Sequence, residues 1–351
     1  MHDQGATWYG MKMEETMATS IQAKPAAAGF GSVSVPLKIT GTVTIVVGIV
    51  FIVVAMMNSL FQVGPAFEDM ITDFRPVLTD ASLDTARADL AVLDAAGEEF
   101  TTIVAPGMAQ ALGLAPEEFS AMMESQYPDV VVGMAALPAI TESFSGLVDT
   151  LDSQQALFAS ADAIPTNDLP ANTVPWIITI AGVAAVIVGV LMFKPGRMWA
   201  ALAVGLGAAL VLTTFALSLP QKAADADELN ANLTPIYTQE LIDGANASLG
   251  IVGAMGVQMQ EEMLPDLAAQ LNMTMEELGG FMAENFPATA TAMNAMGDSL
   301  PRFEAFVGVF AANLDNYQTI QPVAFTPIIW MMIVGGGLIL AMGAFCLATK
   351  R

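Results

Sequence analysis

Two pairs of adjacent carboxylates, Glu117-Glu118 and Glu276-Glu277, stand 159 residues apart at matching places in two similar stretches, residues 112–128 and 271–287. Neighbouring acids of this kind can hold a divalent cation or divide general acid and base work between them. A helix start explains them more simply. Thr274 and Glu277 have the spacing of a capping box, Pro116 suits a first helical turn, and acids in that turn face the positive end of the helix dipole. The remaining reactive inventory is thin. His2 is the single histidine and Cys346 the single cysteine, so no intrachain disulfide, Cys/His metal site or Ser-His-Asp arrangement can be assembled beyond the N-terminal tail. Lys222 is the only lysine of the two long loops, 64–173 and 220–325, so a Ser-Lys nucleophile there would depend on it alone. The two loops have no Trp to stack a sugar beside a glycosidase-like carboxylate pair, and neither phosphate-cradling glycine motifs nor EF-hand spacing occur. The expectation is no catalytic residue, no cofactor and no metal. A net charge of −24 argues against nucleic acid as a partner, because binding it needs a basic face.

The spacing of 159 reaches well beyond the acidic pairs. It relates Gly48 to Gly207, Ser59 to Ser218, Pro76 to Pro235, Thr79 to Thr238, Gly97 to Gly256, Pro106 to Pro265 and Phe144 to Phe303. Near the ends the spacing shortens to 154, where Trp176 matches Trp330. Prolines and glycines recurring at one fixed distance indicate a tandem duplication.

Composition places both copies in a membrane. Of 351 residues, 54% are hydrophobic and only 13% charged, and the mean hydropathy is +0.58; a soluble domain carries about 25% charged residues. Four apolar runs, 39–63, 174–193, 198–219 and 326–347, reach the roughly 20 residues a helix needs to cross a bilayer. Trp176, Trp199 and Trp330 fall at run ends, where an amphipathic ring favours the interface. The fold class expected is an all-α membrane protein: two tandem repeats, each a span, a helical domain and a returning span. The segments are a tail over 1–38 without clear periodicity, read as mostly disordered, helical domains over 64–173 and 220–325, a four-residue turn at 194–197 and a C-terminus at 348–351. Tail, turn and C-terminus carry 7 of the 11 Lys and Arg, whereas the two long loops carry 32 acids against Arg75, Arg87, Lys222 and Arg302. The positive-inside rule then puts both termini in the cytoplasm and both loops outside a plasma (inner) membrane. The Ala/Asp-rich, Lys-poor composition suits a bacterium, so the triplets headed by Asn232, Asn246 and Asn272, formal glycosylation sites, carry no weight there.

No charged residue lies inside the four runs, which counts against a proton relay or ion path. Small residues recur instead at helical spacing, Gly41 and Gly48, Ala185 and Gly189, Gly205 and Ala209, Gly337 and Ala341, and are expected to let helices approach closely. In the loops, Leu83, Ala86, Leu90, Leu93, Gly97, Phe100 and Val104 form one apolar stripe, repeated from Ile242 to Met263. Pro106 and Pro265 are expected to end or kink the helices that carry these stripes. Met and Phe are frequent in the following segments. Met122, Met123, Phe144, Phe158, Phe281, Met282, Phe303, Phe306 and Phe310 are the candidate apolar surface for a ligand or partner, with a packed core as the plainer reading. Neither loop has a disulfide, so the two copies are expected to bury their stripes against each other. Function follows only in outline: a non-catalytic scaffold or assembly protein whose acidic ectodomains bind another envelope component. The alternatives are a lipid or hydrophobic-ligand carrier and an oligomeric channel. The partners expected are membrane lipid and either an envelope protein or further copies of the chain.

Overall fold

The computed structural model describes residues 35–166, 169–194 and 196–349; the tail expected over 1–38 lies almost wholly outside them, as do Lys350 and Arg351. Helices make up the described architecture, and it contains no strand. In the first half they are α1 (Val35–Met57), α2 (Leu60–Phe74), α3 (Asp80–Glu99), α4 (Ala105–Ala111), α5 (Pro116–Gln126), α6 (Pro128–Asp162) and α7 (Val174–Leu191). The second half has α8 (Arg197–Ala216), α9 (Leu219–Leu233), α10 (Gln239–Gln258), α11 (Leu264–Gln270), α12 (Met275–Asn285), α13 (Pro287–Ala312), α14 (Leu314–Ile320) and α15 (Phe325–Ala348).

Local chemistry sets these boundaries, and it recurs between the halves. Ser59 and Ser218 adopt left-handed backbone (φ 51° and 53°) and separate α1 from α2 and α8 from α9, so the apolar run read as 39–63 is two helices, the first ending at Met57. The hydroxyls of Thr79 and Thr238 accept the backbone N–H groups of Ser82 and Leu241, each at 3.2 Å, and start α3 and α10. Five-residue π-helical turns, Phe100–Val104 and Met259–Met263, follow these helices. Pro106 and Pro265 come just beyond, inside the first turns of α4 and α11. A proline has no N–H for the carbonyl four residues back. The wider turn lets the chain run on without the break expected there. Thr274 makes the expected capping box with Glu277: its hydroxyl accepts the Glu277 N–H at 3.2 Å, and the Glu277 carboxylate accepts the Thr274 N–H at 2.8 Å. In the first half Glu118 accepts only the Ala115 N–H, at 3.2 Å, because Ala115 has no side-chain acceptor.

Among the described residues, five helices are long and apolar enough to cross a membrane: α1, α7 with its short 3₁₀ lead-in from Ala171, α8, α15 and also α6. Several spanning-capable helices are the mark of a membrane protein. α1 packs along α7 and α8 along α15, and these hairpins meet through α1 with α15 and α7 with α8. The other helices form a second body above this bundle. Its contacts are reciprocal: α3 lies on α13 while α10 lies on α6, and α9 meets the end of α6 while α2 meets α14. One continuous apolar core joins the bundle to the body.

Candidate functional site

Within the bundle, the close approaches fall only partly on the small residues singled out by spacing. A Cβ built at Gly41 would lie 2.8 Å from the Gly189 carbonyl oxygen, and one at Gly48 would lie 2.5 Å from that of Gly182. Ala185 is fully buried. In the other hairpin the contacts belong to Gly207, Gly336 and Gly343: a Cβ at Gly207 would lie 2.5 Å from the Gly336 carbonyl oxygen. Gly205 and Gly337 have open space where a Cβ would go, and Ala209 and Ala341 are exposed. Small size permits a close approach but does not choose the helix face. The spacing of 159, which carries Gly48 to Gly207, does choose it.

The Met and Phe residues proposed as a ligand surface are mostly core. Met123, Phe144, Phe158, Met282, Phe303, Phe306 and Phe310 are buried and Met122 is half-buried; only Phe281 is exposed, with its ring edge-on to Phe286 at 5.8 Å. Phe144 and Phe303, which occupy the same place in the two halves, meet each other with ring centroids 5.4 Å apart and planes at 70°. Phe74, Phe310, Tyr237 and Tyr317 form a second aromatic group across the halves. The Tyr237 hydroxyl donates to the Phe310 carbonyl at 3.0 Å, and burial raises its pKa above the ordinary tyrosine value. Tyr127, buried and donating to Asp266 at 2.9 Å, is pushed up to about 12, by burial first, then by that hydrogen bond and the charges of Asp266 and Glu262. Both phenols therefore stay protonated at neutral pH and act as hydrogen-bond donors.

Polar side chains that sequence reasoning passed over join the halves. Glu99, at the end of α3, accepts the N–H groups of Ala288 (3.3 Å) and Thr289 (2.7 Å) at the start of α13. Gln258, 159 residues on at the end of α10, does the same for Asp129 (2.8 Å) and Val130 (3.2 Å) at the start of α6. Partial burial works to raise the Glu99 pKa, but the hydrogen bonds from Thr289 and Ala288 together outweigh it and hold the carboxyl below its ordinary value. Lower down, Glu68 accepts the Ala171 N–H at 2.7 Å, and Asp227 accepts those of Phe325 and Thr326 at 2.7 and 2.9 Å, ahead of α7 and α15. Asn313 donates to Asp73 at 2.9 Å, and Asn232 donates to Gln154 at 2.9 Å in the matching place. The side chains pair off at the spacing of 159, Glu99 with Gln258, Glu68 with Asp227, Asp73 with Asn232 and Gln154 with Asn313, so that spacing was the signal for them.

All four cations of the body are engaged within it. Arg75 pairs with Asp162 at 2.7 Å, Arg87 with Asp149 (3.2 Å) and Asp152 (2.8 Å), and Arg302 with Asp89 at 2.7 Å. Lys222 donates to the carbonyls of Ala163 (2.6 Å) and Pro165 (3.4 Å). Among the described residues no three of His, Cys, Asp or Glu converge as metal ligands would. The concavities are small. One of about 260 Å³ lies beside Asp89 and Arg302. An apolar one of about 50 Å³ lies where bundle and body meet. Those between the aromatic groups are about 20 Å³ each. No family model matches this chain, and no curated protein or solved structure is similar enough to match it.

Proposed function

We propose that the chain is a duplicated four-span protein of the plasma membrane that displays one acidic helical body outside the cell and there docks a cationic patch of another envelope component, without catalysing a reaction. Helices α1, α7, α8 and α15 are the spans in this reading, and α6 is not. At 35 residues α6 is roughly 52 Å long, well over the ~30 Å hydrocarbon core. It also carries Asp129, Glu142, Asp149, Asp152 and Asp162 and packs among the polar helices α3, α9 and α10. The recurrence of caps, π turns and helix contacts at one spacing supports a duplication, with the halves related by an approximate two-fold axis along the membrane normal.

The observation that carries the docking proposal is the use of charge. The two loops, 64–173 and 220–325, together hold 32 acids, and their four cations are bound internally, so the exterior of the body is left strongly negative. Such a field attracts a basic partner and repels an acidic one, more through association rate and selectivity than through raw affinity. The test uses the scarcity of amines. A zero-length carboxyl-to-amine cross-linker applied to whole cells can join the body's acids to little besides foreign amines, Lys222 being its only lysine. A discrete hetero-adduct that disappears in about 0.5 M salt, where screening is within ~5 Å, is the expected result. Adducts to the chain itself or to aminolipid alone would overturn the proposal.

A further inference from the structure

We propose that the apolar cavity at the junction of bundle and body seats a stretch of acyl chain from an anionic phospholipid of the outer leaflet, and that Lys222 holds the lipid's phosphate. The proposal rests on the four-span reading but not on a protein partner for the acidic surface. The cavity is walled by the opening turns of four helices: Leu60 of α2, Pro175 of α7, Leu219 of α9 and Ile329 of α15. Trp176 and Trp330, next to two of these wall residues, are exposed by 59% and 50%. Two outward-facing indoles at one level mark the height of lipid headgroups.

The walls are hydrocarbon, so the roughly 50 Å³ inside has almost nothing to hydrogen-bond a water. An apolar void of this kind stays dry and accepts hydrocarbon. At about 10–15 Å³ for each water-sized group it has room for about three to five methylenes. Leu60 and Leu219 are counterparts at the spacing of 159, as are Gly64 and Ala223, so the cavity lies between the halves. The latter two are small: Gly64 lets the Asn172 backbone approach, with 3.0 Å left for a Cβ, and Ala223 is buried with only a methyl to offer the cavity. Val174 and Leu219, only half-buried, form part of the rim.

Charge selects the headgroup. Lys222 stands where the first half has the wall residue Val63. Its ammonium grips the carbonyls on both sides of another wall residue, Ile164, which places it at the edge of the cavity. Among the described residues of the body it is the one cation with no carboxylate in ion-pairing range. An ammonium has three donors. Two carbonyls take two of them and leave one for a phosphate oxygen, which lysine binds as a point charge. Over the rest of the body the acidic field would repel an anionic headgroup, which confines the lipid to this position.

Native mass spectrometry of the full-length protein in mild detergent, titrated with dioleoyl-phosphatidylglycerol or dioleoyl-phosphatidylcholine, tests this. One phosphatidylglycerol should bind first and saturate at one per chain, several-fold tighter than phosphatidylcholine, and millimolar inorganic phosphate should not displace it. Ala223→Leu, which fills the cavity, should weaken the first lipid at least ten-fold. Lys222→Gln leaves the cavity intact and should weaken phosphatidylglycerol about five-fold while abolishing the preference over phosphatidylcholine; it decides the matter alone if Ala223→Leu does not fold. Lipid binding without a distinct first event, full displacement by phosphate, or an unchanged first affinity in a folded variant would overturn the proposal.

Discussion

The end of α3 and the end of α10 do the same work with different chemistry. Glu99 offers a carboxylate to the start of α13, and Gln258 offers an amide oxygen to the start of α6. In both places two orphan N–H groups of a helix start find an acceptor, because a buried helix end without one is costly. The surface ion pairs are not kept in this way. Asp89 of α3 and Arg302 of α13 are joined across the halves, whereas their counterparts are Ser248 and Ser143, which cannot pair as ions; Arg87 has Asn246 as its counterpart. Exposed pairs contribute about 0–1 kcal/mol, so either half folds with or without them. What both halves share is what the backbone requires, and what differs is what solvent can replace.

The largest test of this comparison lies in the bundle. Gly207→Ala drives a methyl against the Gly336 carbonyl and the Leu340 backbone, neither of which can rotate away, and should cost about 3 kcal/mol. Gly48→Ala should match it through Gly182, while Gly205→Ala, with open space around it, should be neutral or stabilising by about 0.5–1 kcal/mol. Thermal unfolding of the three variants in one detergent is the measurement. Equal effects at Gly205 and Gly207 would mean that the hairpin uses another face.

Next come the two caps. Glu99→Ala removes a charged acceptor and should cost about 1.5–3 kcal/mol, against about 0.5–1.5 kcal/mol for Gln258→Ala. The charged member also titrates. The Glu99 pKa is lower in the folded state than its ordinary 4.5, so its contribution is present above that value and is lost as pH falls through the folded pKa. Glu99→Gln copies the other half and should flatten the acid side of the stability profile while costing little at pH 7. An unchanged acid limb in Glu99→Gln would place the titration elsewhere. The smallest effect is constructive: Ser143→Arg with Ser248→Asp installs the missing counterpart of the Arg302–Asp89 pair and should stabilise by less than about 1 kcal/mol, more in low salt than in high.

Much of this arrangement was readable from the chain. Hydropathy located the helices now named α1, α7, α8 and α15, and proline and threonine positions located the starts of α5, α6, α12 and α13. Three things were not readable locally. The break at Ser59 lies inside an apolar run, where a left-handed serine gives no compositional sign. The bundle face of α8 was set one step off, at Gly205 and Ala209, because several faces of an Ala/Gly-rich helix look equally small; the packed face runs through Ala200, Ala203 and Gly207. The Met and Phe stripes carry the same pattern whether they line a groove or fill a core, and only the reciprocal packing of the halves puts them inside. The caps by Glu99 and Gln258 depend on contacts between distant segments. Only comparison of the repeats makes them visible in the sequence.

Sidedness is the most direct test of the proposed topology. In a Cys346→Ser background, single cysteines replace the exposed Ser125 and Ser153 and the half-buried Thr349, and whole cells are treated with a membrane-impermeant maleimide. Labelling of Ser125→Cys and Ser153→Cys with protection of Thr349→Cys until the cells are opened is the expected result, with α6 wholly outside and the C-terminus within. Labelling of Ser125→Cys but not Ser153→Cys would make α6 a fifth span and contradict the four-span duplicated design.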